Sequence, residues 1–93
     1  MYVASIRVEL HLPYAASLKD KRQILTRLKE RLRAAHASVA EVDHADLWQR
    51  TALGLAVVTS SSERLTETLS SLREIVDRQE EIVVLDWHIS HHE

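Results

Sequence analysis

The sequence predicts an α+β domain, a ferredoxin-like β-α-β-β-α-β sandwich with a four-stranded antiparallel sheet and two helices on one face. Two observations carry this expectation. Four stretches alternate apolar and polar residues with period two, and two longer stretches repeat apolar residues at spacings of three and four. Each helical stretch has a single apolar stripe, so both need a common apolar surface, and a sheet covered on one side supplies it. Right-handed crossovers then put the first and third strands in the centre. A chain of 93 residues has room for one core, so residues 1–93 are expected to form one domain.

The elements follow in order. In residues 2–11, Ala4, Ile6, Val8 and Leu10 share one face, and Ser5, Arg7, Glu9 and His11 the other. Pro13 stops the strand. Ser17 stands as N-cap with Asp20 at N3, and Leu18, Leu25, Leu28, Leu32 and Ala35 form the apolar stripe of a helix over 18–35. Residues 38–43 read as a short strand, with Val39, Glu41 and Asp43 alternating against Ala40 and Val42. Residues 51–59 form a third strand, with Leu53, Leu55 and Val57 toward the core and Ala52, Gly54, Ala56 and Val58 on the other face. Ser60 caps a second helix over 61–78, with Glu63 at N3 and Leu65, Leu69, Leu72 and Val76 on its stripe. Residues 82–90 alternate again, with Val83, Leu85, Trp87 and Ile89 inward and Val84, Asp86, His88 and Ser90 outward.

Composition narrows the function classes. The absence of Cys excludes a disulfide framework, a thiolate metal site and a Cys nucleophile. No apolar run approaches the ~20 residues of a membrane span, and the N-terminal residues enter a strand pattern without a signal-peptide layout, so the expectation is a cytoplasmic protein with no membrane partner. The net charge of −2 conceals a segregation: residues 19–33 carry +5 and the remainder −7. A basic surface on one element steers anionic partners even when the whole chain is acidic. No P-loop, nucleophile elbow or HExxH is present. The chain is therefore read as a non-enzyme without a cofactor and with no identified small-molecule substrate, the least favoured alternative being a small phosphoester- or anion-directed enzyme using Asp43, Asp46 and Arg50.

The run Ser17-Leu18-Lys19-Asp20-Lys21-Arg22, followed by Val39-Ala40-Glu41-Val42-Asp43 and then Asp46-Leu47-Trp48-Gln49-Arg50, resembles the YlxP-like family of small uncharacterised bacterial proteins. The resemblance extends from Val-Glu-Leu-His-Leu-Pro at 8–13 to Val-Leu-Asp at 84–86. It implies a ferredoxin-like fold. It also implies an association with the ribosome or RNA, because genes of this family sit among those for transcription termination, translation initiation and ribosome maturation. It brings no catalytic residues.

Three surfaces are candidates for contact. The first is the basic helix, where Lys19, Lys21, Arg22, Lys29 and Arg33 would bind phosphates of a structured RNA or the ribosome, the alternative being a solvated charged face. The second is the connection around Asp43, Asp46, Trp48, Gln49 and Arg50. Trp and Arg anchor interfaces; the alternative has Trp48 folded over the core edge and Arg50 paired with Asp43 or Asp46. The third is the open sheet face. It lacks the aromatic platform of RNA-recognition folds, and Glu9, Glu41, Asp43 and Asp86 would repel phosphate. Its small residues, Ala52, Gly54 and Ala56 beside Arg7, instead suit a homodimer. The grouping Asp43-His44-Asp46 and the C-terminal His88, His91 and His92 have no recognised metal-ligand spacing, and no metal site is expected.

Overall fold

The computed structural model describes residues 1–92 and has the expected order: β1 (Tyr2–His11), α1 (Leu18–Ala34), β2 (Ser38–Asp43), β3 (Arg50–Thr59), α2 (Ser62–Asp77) and β4 (Val83–His92). The sheet is antiparallel in the order β2-β3-β1-β4, so β1 and β3 are central, as the crossover rule requires. Both helices cover one face. The core consists of Ala4, Ile6, Val8 and Leu10 of β1 and Leu53, Leu55 and Val57 of β3, against Leu25, Leu28 and Leu32 of α1 and Leu65, Leu69, Leu72 and Val76 of α2. Each fully buried Leu or Val contributes about 1.5–3 kcal/mol of transfer free energy, so the two stripes are the main reason the helices dock.

The helix ends are chemically specified. Ser17 Oγ accepts from Asp20 N–H at 3.0 Å, and Asp20 Oδ2 accepts in return from Ala16 N–H at 3.0 Å. At the other end of α1, Ala35 caps, His36 takes a left-handed conformation (φ 73°), and Ala37 N–H donates to Leu32 O at 3.2 Å. This is a Schellman closure made without glycine. The cap of α2 lies one residue beyond the expected Ser60: Ser61 Oγ accepts from Arg64 N–H at 3.1 Å, while Ser60 stays outside the helix.

Two β-bulges change which residues face the core. In β2, Glu41 pairs with Leu53 and Asp43 with Ala52, leaving Val42 as an extra residue. Glu41, expected on the open face, therefore lies on the helix side, while Asp43 keeps the open face that strict alternation assigns to both. In β4, Leu10 pairs with Val84 and Glu9 with Asp86, leaving Leu85 as the extra residue. Val84 then packs on the core with Trp87, whereas Val83 and Leu85, expected inward, are exposed. The buried residue before this strand is Ile82.

Candidate functional site

The chemistry-bearing residues converge at the end of the sheet where β2 passes into β3. Lys21 is the element sequence reasoning misplaced. It is 2% exposed, so it leaves the phosphate-binding set. Its Nζ lies 2.9 Å from Glu41 Oε2 and donates to the backbone carbonyl of His44 at 2.7 Å. Glu41 Oε2 also accepts from the hydroxyl of fully buried Thr51 at 2.5 Å. Lys21 thereby fastens α1 to β2 and to the start of the β2–β3 connection. A signal was available in the sequence: the stripe Leu25, Leu28, Leu32 extended back by four residues lands on position 21, whereas Leu18, seven residues before Leu25, is partly exposed.

A second cluster sits on the opposite face of the sheet. Glu9 receives Arg7 at 3.0 Å on Oε1, and Arg50 at 3.2 Å and His44 Nε2 at 3.1 Å on Oε2. Arg7 also reaches Asp43 at 3.2 Å, and Asp43 Oδ1 accepts from the His44 backbone N–H at 2.8 Å. Arg50 thus pairs with Glu9 and not with Asp43 or Asp46. Its Nε is buried without a hydrogen-bond partner among the described residues.

The carboxylates respond to these partners. Burial pushes Glu9 and Glu41 up, but donated hydrogen bonds and nearby positive charge outweigh it and leave both below the ordinary glutamate value. The donors are Arg50 and Arg7 for Glu9, and Thr51 and Lys21 for Glu41. Asp43 is lowered chiefly by the His44 backbone hydrogen bond. Of the four acidic groups expected to repel phosphate from the open face, Glu41 is on the other side, Glu9 and Asp43 are paired with basic groups, and Asp86 stands there as expected, across from Glu9.

The connection itself separates into a fixed base and a projecting tip. Gln49 is a structural clamp: its backbone carbonyl accepts from Leu12 N–H at 2.9 Å, and its side-chain amide donates to Pro13 O and Ala15 O at 3.2 Å each. His44 has φ 62°, and Leu47 N–H closes the turn on His44 O at 3.1 Å. Asp46 is exposed and makes no side-chain bond among the described residues. Trp48 is 54% exposed, with Leu47 also largely in solvent, so Trp48 does not fold back over the core.

The open face is less open than expected. Ala52 is fully buried, and a Cβ placed on Gly54 would meet Val42 Cγ1 at 2.9 Å, because the bulged Val42 lies over that glycine. Arg7 is engaged by Glu9 and Asp43. Of the dimer-face residues, only Ala56 remains accessible and uncommitted.

On α1 the basic residues divide by face. Arg27 pairs with Glu81 at 3.0 Å, and Arg31 donates to Gln79 at 2.5 Å, tying α1 to the α2–β4 connection. Lys19, Arg22, Lys29 and Arg33 recur at spacings of three, seven and four on another face, and among the described residues none forms an ion pair. Arg22 and Lys29 rim a shallow cleft between α1 and β2, with Leu25, Lys21 and Glu41 in its walls and Ala45 of the connection at its end. Among the described residues, no three His, Asp or Glu groups are disposed to share a metal ion, and no helix is long and apolar enough to cross a membrane.

Residues 3–89 match the model of a family described as "Protein of unknown function (DUF503)", and the chain belongs to that family. It is 36% identical over 69 residues to the uncharacterized protein YlxP of Bacillus subtilis (strain 168), covering 73% of this chain and 75% of that protein. The fold is similar to that of the de novo designed protein Foldit4, with a TM-score of 0.52 over 99% of this chain and 96% of the design at 11% identity. That likeness concerns architecture alone.

Proposed function

We propose that this member of the DUF503 family is a cytoplasmic, non-catalytic binding protein that contacts a structured RNA, ribosomal RNA in particular, through the outer stripe of α1. The observation that carries the reading is the division of the basic residues. Lys21, Arg27 and Arg31 are consumed by contacts within the chain, while Lys19, Arg22, Lys29 and Arg33 line one helix face and form no ion pair among the described residues. Unpaired cations at helical spacing are the donors that a phosphate backbone takes up, with release of counterions. The exposed Trp48 is presented from a connection that Lys21 fastens to the same helix, which suits it to stack on an unpaired base beside the phosphate contacts. The ribosomal part of the reading also draws on the gene neighbourhood of the YlxP-like family.

The test is co-sedimentation with ribosomal subunits across a salt series. Four phosphate contacts give a log–log salt slope of about −3. The triple change Arg22→Glu, Lys29→Glu, Arg33→Glu should abolish association while leaving the thermal transition in place. Association that survives the triple change, or none at low salt, would overturn the reading.

A further inference from the structure

The two edges of the sheet are unlike. The β2 edge is six residues long, bulged near its end and flanked by the charged clusters. The β4 edge is ten residues long, carries neither Lys nor Pro, and is regular from Asp86 to His92. Chains ordinarily blunt a free edge with such residues, because its unpaired backbone groups are a template for another strand. Beside this edge, on the helix side, Trp87 and Ile89 border a groove against Leu69 and Thr66 of α2, and Arg73 lies over the Trp87 ring at 5.1 Å from its centroid. Ile89 is 37% exposed and Leu85 49%, an apolar surface that water covers poorly.

We propose that β4 pairs antiparallel with β4 of a second copy about a two-fold axis at Trp87, making one continuous eight-stranded sheet. A symmetric pairing that keeps each side chain on its own sheet face must centre on a residue. Centred on Trp87, it sets Trp87 across from its own copy and Asp86 across from His88, the latter pairing occurring twice, with Ile89 reaching the bulged segment at Leu85. Apolar residues then oppose apolar ones, and a carboxylate opposes an imidazole. Centred on His88 it would oppose two identical imidazoles, and centred on Ile89 it would set Trp87 against His91. The strand is therefore complementary to itself when centred on Trp87, which is why a second copy, and not an unrelated peptide, is the fitting occupant. This surface is separate from the α1 stripe, so the two proposals fail independently.

The experiment is sedimentation equilibrium of the whole chain into the high-micromolar range, with a register test. A concentration-dependent dimer is expected. Ile89→Lys, which sets a charge in the seam, should weaken it on the order of tenfold or more with the circular dichroism melt retained. The chain has no cysteine of its own. The double variant Asp86→Cys, His88→Cys should therefore oxidise to a covalent dimer, joined between position 86 of one copy and 88 of the other. A strictly monomeric protein would overturn the proposal. So would a dimer insensitive to Ile89→Lys, or one that His88→Cys alone cross-links through that residue to itself.

Discussion

The β2 and β4 edges bound the same sheet and are held by opposite means. At β2, a buried lysine, two glutamates, two arginines and a threonine hydroxyl fasten a short bulged strand to a helix on one side and to its neighbours on the other. At β4, a longer strand relies on its ladder, a Trp half-buried against Arg73 and a hydrogen bond between Ser5 Oγ and His92 Nε2 at 2.7 Å. Polar groups at β2 are spent on fixing the connection that carries Trp48, whereas β4, bulged at Leu85, keeps a regular edge from Asp86 to His92 without Lys or Pro. The sharpest way to break this contrast is to remove Lys21. Lys21→Ala strands the half-buried carboxylate of Glu41 and frees the His44 carbonyl, and should cost about 3 kcal/mol, as expected for breaking a buried pair. Lys21→Met with Glu41→Leu, which removes both charges, should recover part of that loss. The matched change at the other edge, His92→Ala, should cost less than ~0.5 kcal/mol, since its partner is solvated. Urea midpoints measure all three; a similar loss at both edges would erase the contrast.

Acid sharpens the comparison with a smaller effect. Glu9, Glu41 and Asp43 titrate below their ordinary values in the folded chain. Between the folded and unfolded values the unfolded chain binds more protons, so stability rises with pH there. The contribution is complete above roughly pH 5, clear of the unfolded carboxylate values near 4, and is lost as pH falls through the lowered folded ones. Asp43 is exposed and adds least. Hydrogen exchange on acidification should therefore open β2 and the 44–49 connection before β4. Simultaneous opening of both edges would place the acid sensitivity elsewhere. Glu41→Gln should flatten the dependence more than Asp43→Asn.

Much of the fold was legible because period-two and period-3.6 patterns report burial directly. The order of elements, the central β1 and β3, the Ser17 cap and nearly every core position follow from them. The bulges were not legible. One extra residue reverses the phase of a strand, and nothing in Glu41-Val42-Asp43 or Val84-Leu85-Asp86 announces where the reversal falls. Those two shifts separated Glu41 from Asp43 in β2 and exchanged Val84 for Val83 and Leu85 in β4. The candidate site was half legible. Charge segregation pointed to α1, but net charge cannot say which cations face inward. Gln49 carries its role through backbone carbonyls of Pro13 and Ala15, which sequence does not display.

The smallest effect tests the bulge itself. Gly54 is the chain's one glycine, and it is spent in the middle of a central strand, where glycine ordinarily costs about 0.5–1 kcal/mol relative to alanine. Its neighbour explains the choice. Val42, pushed out of the ladder by the bulge, lies over the position a Cβ would take, with Cγ1 at 2.9 Å. The obstructing atom is the end of an exposed side chain and not backbone, so it can turn aside. Gly54→Ala should therefore be nearly neutral, the gain in strand propensity offset by the displaced valine. In a Val42→Ala background the obstruction is gone, and the same change should stabilise by about 0.5 kcal/mol. The double-mutant cycle then yields a coupling that assigns the glycine to the bulge. If Gly54→Ala costs the same with and without Val42, the close approach of β2 to β3 has another origin, and the bulged edge is held by its charges alone.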